Sequence, residues 1–485
     1  MSGRRAMKSS SPVSGLRRAQ LSFTQVLGQS VSAVAPSAVM VTLPALVIPA
    51  AGSATLPVFI VTAVLMAAVG YCVTQFSTRM VAVSGLYSYT VKGLGPVPGI
   101  AAGWSVVIGY AAAAMASTLG AASYLTALLG RLGVPGGEPT IAVLAVVVGI
   151  VALTLMVRGI RLSARISLTV EVFAIVAAAV VLVIAFTGAV AGGHDPPEAP
   201  AAQSHSALGF ALLLAITSYE GFESASTVAR EAQRPFVTVT RAIRWTPVAL
   251  GVLYTFAAAM QSAGTIQAGI GAVPIVLSLP DTAGTASVAL SIVMELGITA
   301  SWFACVIGST TALSRTLFAM GREGVLPSAV GDAHPRHRTP HIALYVAIPV
   351  IVAVPVGYLL IVGSPREVLI GLLAISAHGY IGAYLLACLA APTFLRRIGE
   401  LTWAPLTVGL TTAAMMVAII VWAVLTVESP VWVATAVYAA LLAIGLGAFA
   451  LRRRSLPDLA ERVGVFDETV AGDIFADYNP WEVRR

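Results

Sequence analysis

The sequence has 485 residues, of which 58% are hydrophobic and only 10% are charged, and its mean hydropathy is +0.91. Soluble domains carry about 25% charged residues, so the composition excludes an ordinary soluble protein and indicates a chain surrounded by lipid. The net charge of +7 would suit nucleic acid, but its distribution indicates membrane topology instead, and we expect no nucleic-acid partner. Cys72, Cys305 and Cys388 lie in apolar stretches without metal-ligand spacing, so we expect no disulfide, metal or cofactor.

Apolar runs of about 20 residues predict twelve helices that cross the membrane. Residues 1–20 are basic and polar and predict a cytoplasmic tail, and residues 451–485 predict a second, solvated one. The predicted spans are 24–48, 55–78, 98–129, 140–157, 166–190, 207–230, 243–264, 285–319, 342–362, 366–391, 403–426 and 430–450.

The charges support this span count. With twelve spans, 26 of the 28 Lys and Arg residues fall in tails or loops on one side, and only Arg131 and Arg366 fall on the other. Cytoplasmic loops are enriched in Lys and Arg. We therefore expect a multi-pass protein of the cytoplasmic membrane with both termini in the cytoplasm.

Two of the predicted spans contain a helix breaker near the middle. The first span has Pro36, and the sixth has Gly221 beside Glu220 and Glu223. In lipid, irregular backbone is tolerated only where it lines a cavity or is buried in protein. A proline kink and a packing glycine would be a structural explanation. Breakers at corresponding positions of two halves instead point to a transporter site, with the second five-helix unit inverted relative to the first.

The two interruptions would present free backbone groups to a substrate. A half-helix that starts near Ser37 has free N–H groups for a carboxylate, and one that ends near Tyr219 has free carbonyls for an ammonium group. Both groups occur in an α-amino acid. The predicted substrate-binding residues are Ala35, Pro36, Ser37, Ala38, Ser218, Tyr219, Glu220 and Gly221.

Three segments resemble amino acid permeases of the amino acid–polyamine–organocation superfamily, and with the span pattern the resemblance covers residues ~20–450. They are SYEGFESASTVAREAQRPFVTVTRAI (218–243), SRTLFAMGREGVLPSAVGDAHPRHRTPHIAL (314–344) and, less specifically, SGLYSYTVKGLGPVPGIAAGW (84–104). The residues that fit the family pattern in the first two are Gly221, Phe222, Glu223, Ala225, Glu231, Pro235, Arg241, Ala242, Ile243, Arg315, Met320, Arg322, Gly324, Leu326, Pro327, Thr339 and Pro340.

The resemblance implies an all-α membrane protein with a LeuT-type core of two five-helix inverted repeats plus two peripheral helices. The repeats would cover about 24–190 and 207–391, and the peripheral helices about 403–450, within one domain of residues 21–450. It also implies a substrate site at the two interruptions, alternating access, and a gating position at Glu223. Many relatives have a Gly-Ser-Gly-like triplet at the first interruption, whereas this chain has Ala35-Pro36-Ser37-Ala38. Glu171 stands near the place in span five where some relatives carry a lysine.

Ionisable residues inside the membrane are candidates for function. Glu171 would carry a proton or cation, or would pair with Arg158 or Arg165. Glu220 would bind the substrate ammonium group or carry the proton, or would cap free backbone.

Two further residues are candidates for gating. Glu223 would act in gating or as a helix cap, and Tyr110 would close the site or simply pack. A structural role is favoured for His378, and Glu295 is expected to meet water.

The sequence contains no hydrolase motif, nucleotide-binding loop or zinc-protease motif, so we expect that the protein is not an enzyme. We expect a secondary active transporter that imports amino acids or related amines, with coupling to protons rather than sodium. An amino acid/amine antiporter and a non-transporting receptor of the same fold remain alternatives, and the sequence does not indicate the oligomeric state.

Overall fold

The computed structural model describes residues 21–82, 84–159, 164–191, 205–262, 284–426 and 431–464. The helices in these ranges are α1 (Phe23–Val34), α2 (Pro36–Ala51), α3 (Thr55–Ser77), α4 (Leu86–Leu94), α5 (Pro96–Gly130), α6 (Glu138–Val157), α7 (Ala164–Ala191), α8 (His205–Thr217), α9 (Pro235–Met260), α10 (Gly284–Glu323), α11 (His341–Val362), α12 (Pro365–Arg397), α13 (Trp403–Thr426), α14 (Val431–Ser455) and α15 (Leu459–Arg462). Short 3₁₀ helices cover Gly52–Ala54, Phe222–Glu231 and Ser328–Gly331.

Ten helical stretches within the described ranges are long and apolar enough to cross a membrane. One of them, Phe23–Ser77, has 55 residues, about twice the length that a single crossing requires. Helix α8 has only 13 residues and does not qualify by itself. The multi-pass membrane architecture is therefore confirmed, whereas the number of twelve spans stays a prediction.

Large apolar side chains cover the outside of the bundle in the middle of several helices. Val64, Val143 and Val252 are 66%, 63% and 71% exposed, although each lies more than one helical turn from either end of its helix. Exposed valines at these positions are favourable in hydrocarbon and unfavourable in water. The outer surface of these helices is therefore matched to lipid.

The first predicted interruption is present at Ala35. The residue before a proline is disfavoured in the right-handed helical region, and Ala35 adopts the left-handed region (φ 55°, ψ 60°). Its N–H still closes the last turn of α1 on the Val31 carbonyl at 3.1 Å. Pro36 then begins α2, at the helix position that proline tolerates best.

The second predicted interruption is present at Gly221. Helix α8 ends at Thr217, a tight turn follows, and Gly221 takes φ 92°, a value that a glycine adopts without strain. The 3₁₀ helix that follows has ten residues, which is long for this helix type. Within it, the hydroxyls of Ser226 and Thr227 donate to carbonyls three residues earlier, at 2.6 and 2.7 Å.

Several loops that were assigned to one side by charge lie together in the structure. Arg79 at the end of α3 pairs with Glu400 at 2.8 Å, and Arg397 donates to the Lys92 carbonyl at 2.9 Å. Arg452 donates to the Gly324 carbonyl. These contacts define one end of the bundle, which we call the basic face.

The segment that follows the last predicted span differs from the expected solvated tail. Helix α14 continues to Ser455, and Leu459 is fully buried. The Gly464 N–H donates to Glu323 Oε1 at 2.9 Å, so residues up to 464 pack against the basic face. Apolar residues at 459 and 463 explain this packing, whereas 465–485 lie outside the described residues.

Two other boundaries differ from the prediction. Helix α9 begins at Pro235, eight residues before the predicted span. Residues 235–242 mix polar and apolar side chains, so a search for apolar runs did not include them. Helix α4 was not predicted, since its nine residues are too few to register as an apolar span.

Candidate functional site

The two interrupted helices meet. A Cβ atom added at Gly221 would lie 2.8 Å from the Ala33 Cβ and 3.0 Å from the Ala33 carbonyl oxygen. The Ser30 hydroxyl donates to the Phe222 carbonyl at 2.6 Å. All eight predicted substrate-binding residues, 35–38 and 218–221, are buried, so both segments lie side by side inside the bundle.

Glu171 of α7 occupies the free end of α2. The Ser37 N–H donates to Glu171 Oε1 at 2.7 Å, and the Ser301 hydroxyl donates to the same oxygen at 3.0 Å. Because Pro36 has no N–H, Ser37 carries the first backbone donor of this helix. A carboxylate is favoured there by the helix dipole and by the unpaired amides.

This contact changes two expectations from the sequence. The Ser37 amide was expected to be free for a substrate carboxylate, and in the structure the protein's own carboxylate takes it. Glu171 is only 4% exposed, and none of the ion pairs found among the described residues includes it. A pairing with Arg158 is therefore not observed, and the side chain of Arg165 lies outside the described residues.

Glu220 has a different environment at the second interruption. Its Oε2 accepts a hydrogen bond from Ser376 of α12, while its Oε1 is buried and has no hydrogen-bond partner among the described residues. No ion pair in the described part of the chain includes Glu220 either.

Several hydroxyls around the interruptions are also buried and without a hydrogen-bond partner in the described structure. Most buried polar atoms in proteins are paired, so these hydroxyls have hydrogen-bonding capacity left for a ligand or water. These hydroxyls include Ser37 at the first interruption and Ser218, Tyr219, Tyr254 and Tyr380 at or near the second.

Glu223 joins three helices. The Tyr110 hydroxyl of α5 donates to Glu223 Oε1 at 2.7 Å, and the Tyr384 hydroxyl of α12 donates to Oε2 at 2.5 Å. The rings of Tyr110 and Tyr380 pack edge to face with centroids 5.3 Å apart. These contacts bring the two predicted gating residues together in one buried cluster.

Tyr384 is a member of this cluster that sequence reasoning missed. A signal was present, because Tyr380 and Tyr384 are four residues apart and share one face of a helix. That face is directed to Tyr110 and Glu223 in the structure.

Helix α1 is fixed to its neighbours by hydrogen bonds to backbone carbonyls. The Gln29 side-chain amide donates to the Gly308 carbonyl at 2.9 Å, and the Ser224 hydroxyl donates to the Gln29 carbonyl at 3.2 Å. Close approach to α10 is possible because residue 308 is glycine: a Cβ there would lie 2.6 Å from the Ala33 nitrogen. The Ala33 carbonyl accepts from Cys305 at 3.1 Å.

A cavity of about 390 Å³ extends from the basic face to Glu171. It lies between α1, α7, α10 and the 3₁₀ helix, with Arg158 and Arg338 among its outer lining residues. An ion pair between Glu231 and Arg315, with an N–O distance of 2.6 Å, forms part of its wall. The cavity reaches none of the eight buried residues at the interruptions.

The opposite end of α10 carries a second ion pair. Arg131 donates to both oxygens of Glu295, at 2.9 and 2.6 Å. The Glu295 side chain is only 4% exposed, so the expectation that it meets water is wrong. A guanidinium group that covers both carboxylate oxygens explains how an acid is buried there.

His378 links α12 to α14. Its Nδ1 lies 2.7 Å from the Ala374 carbonyl and its Nε2 lies 2.8 Å from the Thr435 hydroxyl. Both ring nitrogens therefore have hydrogen-bond partners within the protein, which agrees with a structural role.

Comparison with known proteins gives similarity over most of the chain. A family model described as amino acid permease matches residues 21–449. The branched-chain amino acid permease BcaP of Bacillus subtilis is 27% identical over 301 residues, which are 58% of this chain and 62% of that protein. The methylthioribose transporter of Bacillus subtilis is 24% identical over 295 residues, 56% of this chain and 61% of that protein. The alignments thus span about three fifths of the length of these curated relatives.

A solved structure supports the fold. The crystal structure of a point mutant of the Eremococcus coleocola manganese transporter aligns with 93% of this chain and 99% of its own chain, with a TM-score of 0.56 at 12% identity. At this identity the likeness shows the fold alone, an all-α membrane protein of the LeuT type.

Proposed function

Because the chain belongs to the amino acid permease family, we propose that it is a secondary active transporter that imports amino acids or related amines across the cytoplasmic membrane by proton symport. The observation that carries the proposal is the meeting of two interrupted helices beside two buried carboxyls, Glu171 and Glu220, that lack a cationic partner among the described residues. Interrupted helices of this kind form the substrate sites of secondary transporters.

The substrate site in this proposal is formed by residues 35–38 and 218–221. The functions of similar proteins agree with a small polar cargo, since one is a branched-chain amino acid permease and another a methylthioribose transporter. The unpartnered hydroxyls and the Glu220 Oε1 atom supply the polar contacts that orient such a cargo.

Alternating access in this proposal uses two barriers around the site. The cavity at the basic face is the inner path, and it stops at Glu171 before the interruptions. The cluster of Tyr110, Glu223 and Tyr384 is a second barrier, beside the Gly221 interruption. The contacts among the basic loops favour a basic face in the cytoplasm, with both termini on that side.

Proton coupling in this proposal runs through Glu171 and Glu220. A buried carboxyl without a cation can neutralise its charge by binding a proton, and acids in such positions serve proton relays in pumps and transporters. Protonation of Glu171 would remove the charge that holds it at the α2 N-terminus. The inner end of the site could then rearrange.

Uptake into proteoliposomes tests this proposal. With an imposed gradient that is acidic outside, labelled amino acids and amines should accumulate, and a protonophore should abolish the accumulation. Glu171→Gln, Glu220→Gln and the double variant should lose the response to external acid. Glu367→Gln, a change at an exposed glutamate in the first turn of α12, is the matched control and should keep it.

The same assay separates the alternatives. Uptake that requires preloaded amine indicates exchange, and uptake driven by a sodium gradient indicates sodium coupling. Binding without accumulation indicates a receptor. If both single variants and the double variant keep the full response to acid, coupling through these two carboxyls is wrong.

A further inference from the structure

The first backbone donor at which a substrate carboxylate would bind α2, the Ser37 amide, is already paired. Glu171 Oε1 accepts the Ser37 N–H at 2.7 Å and the Ser301 hydroxyl at 3.0 Å, and Pro36 has no N–H to offer in addition. The contact is intramolecular and buried. A free carboxylate that used this amide would first have to displace a carboxylate that the fold already holds there.

The charges around the interruptions also oppose a second anion. Glu171, Glu220 and Glu223 are at most 4% exposed, and the ion pairs found among the described residues include none of them. Glu223 has both oxygens satisfied by Tyr110 and Tyr384, whereas Glu220 keeps one unpartnered oxygen. When these carboxyls are ionised, a ligand carboxylate would bring a further negative charge into a region of low dielectric, where like charges repel strongly.

A cationic donor fits the same region well. Glu220 Oε1 is a buried acceptor without a hydrogen-bond donor among the described residues. An ammonium group has three donors and no acceptor, so it can satisfy a carboxylate and neighbouring hydroxyls together.

We propose that the preferred cargo is an amine without a free carboxylate, bound through its ammonium group at Glu220, because Glu171 occupies the α2 N-terminus in place of a substrate carboxylate. This inference rests on the proposed transport function and narrows its substrate class. Glu171 is in this view a specificity-determining residue that makes the site select against zwitterions.

Matched ligand pairs test the inference. Each pair differs only in the carboxyl group: leucine against isoamylamine and leucinamide, lysine against cadaverine, and arginine against agmatine. Ligands that bind the folded transporter raise its thermal stability. For at least one pair, we expect the amine or amide to bind with a Kd at least about tenfold lower than that of its parent acid. The acid must displace Glu171 from the Ser37 amide, and loss of one charge-assisted hydrogen bond changes Kd by about this factor.

Two results would overturn it, and they differ from failure of the transport proposal. If parent amino acids bind and accumulate in proteoliposomes better than their amines, the cargo inference is wrong although the protein is a transporter. If amines bind but nothing accumulates, the transport proposal fails while the ligand class stands. If no pair shifts the stability and none accumulates, both fail.

A variant of Glu171 gives an independent test. Glu171→Ala frees the Ser37 amide, so the ratio of amine affinity to amino acid affinity should fall about tenfold. Glu171→Gln keeps the shape and removes the charge, so it should change the ratio in the same direction by less, and it serves if the alanine variant does not fold. Glu367→Ala, at an exposed position, is the control. An unchanged ratio in a folded, monodisperse Glu171→Ala protein contradicts the assigned role.

Discussion

The two interruptions occupy corresponding places in the fold, but their polar groups are satisfied in different ways. At the first, Glu171 accepts from the Ser37 N–H and Cys305 donates to the Ala33 carbonyl, whereas the Ser37 hydroxyl has no partner in the described structure. At the second, tight-turn hydrogen bonds pair much of the backbone, while Glu220 Oε1 and neighbouring hydroxyls have no partner in the described structure.

This difference indicates a division of roles. The first interruption is a closed junction in which a protein carboxylate stands at the helix N-terminus. The second keeps more unused hydrogen-bonding capacity, including a carboxylate oxygen, and buried capacity of this kind costs about 1–3 kcal/mol per group unless a ligand or water satisfies it. Cargo contacts should therefore be concentrated on the Gly221 side, and changes there should affect binding more than changes around Ser37.

The largest effect is expected for Gly221→Leu. Residue 221 has φ 92°, and even a Cβ would lie 2.8 Å from the Ala33 Cβ, so the side chain must separate the two interruptions. Cargo binding should fall by at least about a hundredfold, with membrane insertion retained. Gly357→Leu is the control, because a Cβ at that α11 glycine has no neighbour within 4 Å. Wild-type affinity in Gly221→Leu would refute the site.

The next effect concerns the proposed gate of Tyr110, Glu223 and Tyr384 beside the second interruption. Tyr110→Phe and Tyr384→Phe each remove a hydroxyl that donates to Glu223, and an unsatisfied buried acceptor costs about 1–3 kcal/mol. We expect each variant to slow uptake about tenfold, and the double variant to be less than additive because both act on one carboxylate. Tyr345→Phe, at a half-exposed position on α11, should leave uptake unchanged. If Tyr110→Phe and Tyr384→Phe both take up cargo at the wild-type rate, as Tyr345→Phe should, this cluster has no gating role.

The asymmetry between the interruptions could not be read from the sequence, although their positions could. Pro36 and Gly221 predict helix breaks from their own chemistry, because one lacks an N–H and the other accepts a positive φ. Glu171 stands 134 residues from Ser37. Their contact depends on how α7 rotates against α2, and apolar composition does not fix that rotation.

The same limit explains the errors for single residues. Burial of Glu295 depends on Arg131, 164 residues away, and hydropathy assigns each of them separately to the membrane surface. Tyr384 lay in a segment that reads as uniformly apolar. Conversely, the apolar runs, the basic loops and the motif at 218–243 depend on local composition, and these predicted the membrane fold and the family.

A smaller effect is expected for Ser376→Ala. This change removes the serine hydroxyl that donates to Glu220 Oε2. The Glu220 carboxyl is then left without a hydrogen-bond partner among the described residues. A cationic cargo would then be the main group that satisfies Glu220, so binding should stabilise this variant more than it stabilises the wild type. The apo protein should lose about 1–3 kcal/mol of stability, which appears as a lower Tm in detergent. An unchanged Tm without cargo, together with an unchanged cargo-induced shift, would show that Ser376 does not support Glu220.

The smallest effect is expected for Ser301→Ala at the first interruption. Glu171 Oε1 loses the hydroxyl but keeps the Ser37 N–H, so the loss is one hydrogen bond, about 1 kcal/mol. The Tm should fall less than in Ser376→Ala, and the cargo-induced shift should stay close to that of the wild type, because the first interruption remains closed by Glu171. The two serine variants measured side by side thus compare the interruptions directly. If Ser301→Ala changes the cargo-induced shift more than Ser376→Ala does, the cargo contacts lie at the α2 N-terminus and the division of roles between the two interruptions is reversed.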